Sequence, residues 1–561
     1  MNGALGLLPA PRELRRTAAT VPRETHIDAS IDPGLDLPAE GFELAIDAAA
    51  ASLTLRATDA AGLFYGRACL AQLRERPGPL PGLVIRDWPE FARRGFMLDV
   101  SRGRVPTLAS LLELVDLLAR LRINEFQLYT EHTFAYGDHR AVWEEASPLT
   151  PAEIRELDAA CAERFIELVP NQNSFGHMER WLRHGDYRKL AECPDAERPA
   201  CLYPGPESAA FMRGLYDELL PCFTSRRINI GCDETFELGR GRSASAVERS
   251  GRGRVYWDFV AELATELQRR TYTVQFWGDI IREDPDLLAE LPREQLTALV
   301  WGYEAPSSDG PAPGGFEQSL PAFAAAGVEF YACPGTSSWN SLIGRWPNAR
   351  ENLLDAVVAG RRHGASGILI TDWGDFGHLQ PAPISWPGLV YGAALAWGVD
   401  SNRELEMPHA LAQAVLGNDR SLAETLLRLG SLYQEIGLGA MNSTALFQGL
   451  LRPLERELTT RGSLHANGLQ VAREVLDETI RALSSDDLAA REMRQAARLA
   501  RHGAWRLARR HGLEAPDDRN CRADLLEAIA EQEAVWLLRS RPGGLEDSLA
   551  RLRRRLDDYA R

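Results

Sequence analysis

The sequence predicts an α/β protein organised around a (β/α)8 TIM barrel at residues 91–400, preceded by a small α+β domain at 1–90 and followed by an α-helical domain at 401–561. Three observations point there. Eight short apolar runs alternate with stretches of helical spacing between residues 95 and 371, the repeat of such a barrel. Polar and aromatic residues gather just after these runs, where barrels of this type carry their chemistry. The main alternative, a doubly wound open sheet, calls for a glycine-rich phosphate loop that the runs do not have.

In the first domain FELAID (Phe42–Asp47) and SLTLRATD (Ser52–Asp59) alternate with strand period, and Gly62–Glu75 has helical spacing. No chemistry clusters there, so its expected role is support. The first barrel run is Gly95–Val100. Pro106 and Thr107 then open a helix striped by Leu108, Leu111, Leu112, Val115 and Leu118. Glu125–Tyr129 is second, and Thr150, Pro151 and Glu153 form a capping-box start that leads to Phe165–Pro170. Ile228–Gly231, β-branched and stopped by glycine, is fourth; Thr273–Trp277, Leu296–Trp301, Val328–Ala332 and Gly367–Thr371 complete the set. Beyond 400, Ala523–Ser540 and Leu545–Ala560 read as helices expected to pack on the barrel or to form a homodimer.

Composition narrows the function. A formal charge of −16 argues against nucleic acid or an anionic membrane as partner. The eight cysteines show neither CxxC pairs nor metal-ligand spacing, which favours free thiols in a reducing compartment. With no signal-type leader and no run long enough to span a membrane, the expected location is the cytoplasm.

The fourth run delivers Asp233 and Glu234 side by side. Neighbours in a strand point to opposite faces, so both acids serve one pocket only if the chain leaves the strand here. An isolated Asp-Glu pair is ordinarily a solvated strand end; the flanking clusters change those odds. Glu131 and His132 follow the second run, and Asn171, Asn173 and His177 the third. The fifth ends in Trp277 and Asp279 and the sixth in Trp301 and Glu304. The seventh leads to Trp339 and Asn340, and the eighth to Asp372, Trp373 and Asp375. Each tryptophan alone reads equally well as core, His177 as a structural histidine and the asparagines as turn formers. Four tryptophans around one barrel mouth suit the C–H face of a pyranose, with acids, amides and histidine for its hydroxyls. There is no HExxH or comparable ligand set, so neither metal nor cofactor is expected. Cys232, inside an apolar strand end, reads as packing and not as a nucleophile.

ARRGFMLDVSRG, VPNQNSFGHM, INIGCDETF and TDWGDFGH, in that order, resemble the first-, third-, fourth- and eighth-strand motifs of glycoside hydrolase family 20, the β-N-acetylhexosaminidases. The likeness covers residues from about 40 to 400 and looks like the intracellular bacterial branch. It implies substrate-assisted retention. Glu234 would be the general acid/base, and Asp233 would orient the 2-acetamido group that attacks the anomeric carbon. Arg94 would hold the sugar's far hydroxyls, Trp277, Trp301 and Trp373 would wall the pocket, Asp375 would bind a hydroxyl and His177 would support the acids. Three departures accompany it. Asn173 replaces the usual acid before Gly-His, Glu131 stands where paired aspartates are usual, and the seventh-strand tyrosine that donates to the acetamide has Trp339, Asn340 and Tyr331 as nearest candidates.

The expected function is therefore an exo-β-N-acetylhexosaminidase acting on oligosaccharides or glycoconjugates ending in N-acetylglucosamine or N-acetylgalactosamine. The alternatives are a conventional two-carboxylate glycosidase with Asp375 or Glu131 as nucleophile, and a non-catalytic carbohydrate-binding barrel.

Overall fold

The computed structural model describes residues 5–306, 315–483 and 486–559. The N-terminal part is a five-stranded sheet in the order β1-β5-β3-β4-β2, formed by β1 (Glu13–Val21), β2 (Ile27–Ile31), β3 (Phe42–Asp47), β4 (Ser52–Ala57) and β5 (Leu80–Asp87). Strands β3 and β4 alternate buried and exposed residues, as the sequence leads one to expect. Helix α1 (Ala60–Glu75), capped by Asp59, covers the buried face with Tyr65, Cys69, Leu70 and Leu73.

Eight parallel strands then close into a barrel: β6 (Arg93–Asp99), β7 (Glu125–Thr130), β8 (Glu167–Gln172), β9 (Arg227–Asn229), β10 (Thr273–Trp277), β11 (Leu296–Trp301), β12 (Glu329–Cys333) and β13 (Gly367–Asp372), with β13 pairing back onto β6. All eight were anticipated to within two residues at either end, because strands buried on both faces read as continuous apolar runs. Helix α2 (Leu108–Arg120) starts at the Thr107 cap, and the helix Pro151–Ala162 has both halves of the Thr150/Glu153 capping box.

The barrel interior is layered. Toward the amino ends of the strands lies a buried polar plug in which Gln127 bonds Glu125 and Gln275, and Asn171 and Asn229 donate to Gln127. Above it sits an aromatic layer that includes Met97, Tyr129, Trp277, Leu299, Tyr303, Trp339 and Trp373. Polar groups bonded largely to one another below, with the Asn171 amide oxygen left unpartnered among the described residues, and rings above leave the carboxyl end as the place for a site.

The C-terminal region is helical, as expected, and packs on the barrel. Helix Asp518–Arg539 is followed by a segment in which Arg541 donates its N–H to Val105, while Thr107 donates to Arg539. Leu545–Arg553 continues as a 3-10 turn to Asp558, and Ala560 and Arg561 lie outside the described residues. A small sheet, β14 (Leu438–Ala440), β15 (Ser443–Thr444) and β16 (Arg461–Gly462), was not anticipated. It reaches the barrel mouth, where Thr444 donates to the Asn340 carbonyl.

Candidate active site

The puzzle of the two adjacent acids is resolved by the backbone. After β9 the chain enters the left-handed region at Gly231 (φ 69°), Cys232 (φ 71°) and Glu234 (φ 48°). This kink turns Asp233 and Glu234 toward the same imidazole: His177 Nε2 lies 3.3 Å from a carboxylate oxygen of each. Residue 231 must be glycine, because a Cβ there would meet Asn173 Oδ1 at 2.7 Å. Gly176 has the matching role in the facing loop, where a Cβ would lie 2.3 Å from the Asp233 carbonyl. Asn173 ties the kink down, accepting the Cys232 N–H at 3.1 Å and donating to Asp233 Oδ1 at 3.0 Å.

The two acids have different surroundings. Asp233 is buried, whereas the Glu234 side chain is 37% exposed. Burial works against ionising Asp233, but the adjacent charge of His177, with Arg102 behind it, outweighs it and holds the carboxyl below its ordinary range. Burial likewise opposes a charge on His177, and Asp233 and Glu234 overcome it, raising its pKa well above the usual imidazole value. Asp279, whose Oδ2 accepts the Glu234 N–H at 3.2 Å, is pushed up to about 7 by burial and by Asp233. These couplings predict that His177→Phe moves the acidic limb of the kcat/KM profile to higher pH by about one unit or more. In the role expected of it Asp233 acts as the anion, so the rate should fall as pH drops through its pKa; without the imidazolium, burial is opposed only by Arg102 and hydrogen bonds, and that pKa rises. An unmoved limb would contradict the coupling.

Arg102 completes the polar side. It bonds Asp99 at 3.1 Å, lies 3.4 Å from Glu131 and spans the rings of Tyr129 and Trp373. Glu131 also accepts from Tyr129, and burial carries its pKa up to about 7 despite Arg102. On the aromatic side Trp301 stacks on Tyr303 at 5.2 Å, and Tyr303 accepts the Trp373 indole N–H at 2.8 Å. Asn340 donates to Asp375 at 2.9 Å across the seventh and eighth loops, and both residues have left-handed backbones.

Several expected residues are placed elsewhere. Arg94 is not on the pocket floor. It is the second residue of β6, 0% exposed, and is used up by Glu40, the Phe91 and Arg122 carbonyls and the Tyr65 hydroxyl, stapling the N-terminal sheet under the barrel. The residue past the far end of that strand, roughly 20 Å along it, is Arg102. Tyr331 is no acetamide donor, since its hydroxyl points down the barrel to Glu125 at 3.1 Å. Trp277 is 0% exposed and packs against Trp373 at 6.0 Å, and Trp339 is 2% exposed and packs edge-on to Tyr303, so both support the wall from behind. Asp233, Glu234, Asn173, His177, Glu131, Trp301, Trp373, Asn340 and Asp375 do come to the mouth, joined by the unanticipated Arg102, Asp99 and Tyr303. The rule that chemistry follows a strand's carboxyl end, applied to DVSRG, selects Arg102. We expect Arg94→Met to cost about 3 kcal/mol of stability with KM unchanged, and Arg102→Met to raise KM in the protein that remains folded; a raised KM for Arg94→Met with an unchanged KM for Arg102→Met would overturn the reassignment.

Among the described residues, no group of three or more His, Cys, Asp or Glu side chains is arranged to hold a metal ion, and no helix is long and apolar enough to cross a membrane. The model for glycosyl hydrolase family 20, domain 2, matches residues 5–88, and that for the family 20 catalytic domain matches 91–307, together more than half of the chain. Hexosaminidase D of Homo sapiens is 28% identical over 224 residues, covering 38% of this chain and 46% of its own length. The beta-N-acetylhexosaminidase of Cellulomonas fimi is 26% identical over 315 residues, covering 49% and 60%. The chain thus spans about half the length of these relatives. Flavobacterium johnsoniae chitobiase superposes with a TM-score of 0.57 at 16% identity, over 95% of this chain and 99% of that one. A mutant Streptomyces plicatus beta-hexosaminidase in complex with GlcNAc does so with 0.56 at 19%, over 73% and 94%. At these identities the structural likeness is one of fold. With both family models matched in order across the N-terminal sheet and the barrel that carries the Asp-Glu pair, the chain belongs to glycoside hydrolase family 20.

Proposed function

We propose that the protein is an exo-acting β-N-acetylhexosaminidase that releases terminal, non-reducing N-acetylglucosamine or N-acetylgalactosamine with retention, the substrate's acetamido oxygen serving as nucleophile. The observation that carries this reading is the contrast within the acid pair. Asp233 is a buried anion fixed by Asn173 and His177, suited to orienting an acetamide and stabilising an oxazolinium. Glu234 is a partly exposed carboxyl beside it, suited to protonating the glycosidic oxygen and later taking a proton from water.

In this reading Arg102 and Asp375 take sugar hydroxyls, while Trp373 and Trp301 face the ring. Tyr303, whose hydroxyl accepts from Trp373 and whose ionisation is opposed chiefly by burial, donates to the acetamide carbonyl in place of the tyrosine expected after strand seven. Tyr303→Phe should lower kcat about 10²-fold with a smaller change in KM; unchanged kcat removes Tyr303 from this role. A thiazoline mimic of the oxazolinium tests the mechanism. Tight competitive inhibition is expected, and inhibition no better than by the free sugar would favour a two-carboxylate route through Asp375 or Glu131.

The cytoplasmic setting is part of the proposal, supported by eight free cysteines of which seven are buried. So is a homodimer through the helical region, supported by exposed Leu526, Leu537 and Leu538 on helix Asp518–Arg539; light scattering at the monomer mass would remove it. The partition into units at 1–90, 91–400 and 401–561 is retained on the same footing, supported by a separate N-terminal core cluster.

A further inference from the structure

Away from the barrel mouth lies a cavity with a different chemistry. It sits outside the barrel wall among β6, α2 and the helix Trp386–Trp397, with a volume of about 380 Å³. Its walls are mainly apolar, from Phe96 and Leu98 on β6, Leu111 and Leu114 on α2, and Leu389 and Val415 opposite. Exposed Glu113, Asp116 and Arg120 also line it and place one side at the surface.

Arg104 lines this apolar space. It is 6% exposed, its guanidinium covers the Trp536 ring at 4.2 Å, and its Nε and Nη2 have no hydrogen-bond partner among the described residues. Nδ1 of His378, also in the wall, is unpartnered too. The other charges are engaged. Asp372 accepts from Thr336, Ser338 and Ser385; Arg539 holds Glu492 at 3.0 Å and Glu113 at 3.4 Å; Asp116 takes Arg164 at 2.6 Å. A buried guanidinium with unmet N–H groups is costly, and burial lowers the Arg104 pKa to about 10, the charge of Glu492, itself held by Arg539, offsetting only part of it.

These features select an occupant. A sugar would set hydroxyls against leucine, a plain hydrocarbon would leave Arg104 unmet, and a small anion would leave the apolar walls uncovered. We propose that the cavity binds an amphipathic carboxylate of the medium-chain fatty-acid class, its head on Arg104 and its chain along the α2 leucines. The site does not depend on the glycosidase reading. Asp372 and His378 in its wall bracket Trp373 and Asp375, so the occupant lies directly behind the eighth-strand loop.

Isothermal titration of the full chain with decanoate, with decanol as the uncharged control, tests this. Saturable one-site binding of decanoate is expected, with decanol weaker by about tenfold or more and Arg104→Gln removing that difference. Val415→Trp, which fills the cavity and keeps Arg104, should abolish binding of both. Circular dichroism melts show whether each variant is folded, and the comparison of decanoate with decanol on the unaltered protein stands without either. Equal affinity for decanol, no saturable binding at about 1 mM decanoate, binding unchanged in Val415→Trp, or displacement of decanoate by the thiazoline sugar mimic would each overturn the proposal.

Discussion

Glu234→Gln should reduce turnover of a substrate with a poor leaving group by about 10² to 10⁴-fold, the range expected when a positioned general acid is removed. The loss should shrink as the leaving group improves, because a good leaving group departs without a proton. Since the side chain is 37% exposed and the bond to Asp279 comes from the Glu234 backbone N–H, which the substitution keeps, the variant should fold as the native protein does. The check is a series of aryl N-acetyl-β-glucosaminides of graded leaving-group pKa. A loss independent of leaving group would assign Glu234 to something other than proton donation, and no loss would remove it from the mechanism.

The second large effect is at Asp233. Asp233→Asn keeps the shape and the Asn173 contact but removes the fixed negative charge from the acetamide and the cation forming on it. A fall in kcat of about 10² to 10³-fold is expected, comparable to losing one preorganised electrostatic contact. The variant should also lower the pKa of His177, whose elevation begins with Asp233. Proton NMR of the imidazole across pH separates this outcome from a mere packing defect, which would leave the titration in place.

Much of this is legible in the amino-acid sequence. The barrel strands could be placed because each is buried on both faces and therefore apolar throughout. The N-terminal β1, ELRRTAATV, carries no strand signal, because it is polar and largely exposed and so lacks the contrast that marks a strand. The C-terminal hairpin was too short and glycine-containing to carry a period. Within the site, motif order found Asp233, Glu234 and His177, while the arginine and the tyrosine depended on geometry. Arg94 and Arg102 flank the same strand, and a resemblance spanning both does not say which end faces substrate. Tyr331 has the right residue type, but its hydroxyl is claimed by the polar plug at Glu125, a partner about 200 residues distant that no local pattern reveals. Tyr303 escaped notice in WGYE because its place is set by packing between Trp301 and Trp339.

The central claim is that the substrate's own acetamido group, held by Asp233, is the nucleophile. The most direct test is the rate of hydrolysis of an aryl N-acetyl-β-glucosaminide beside that of the matching β-glucoside, which has a hydroxyl in place of the acetamide. The account predicts ready cleavage of the first and almost none of the second; equal rates on both would contradict it.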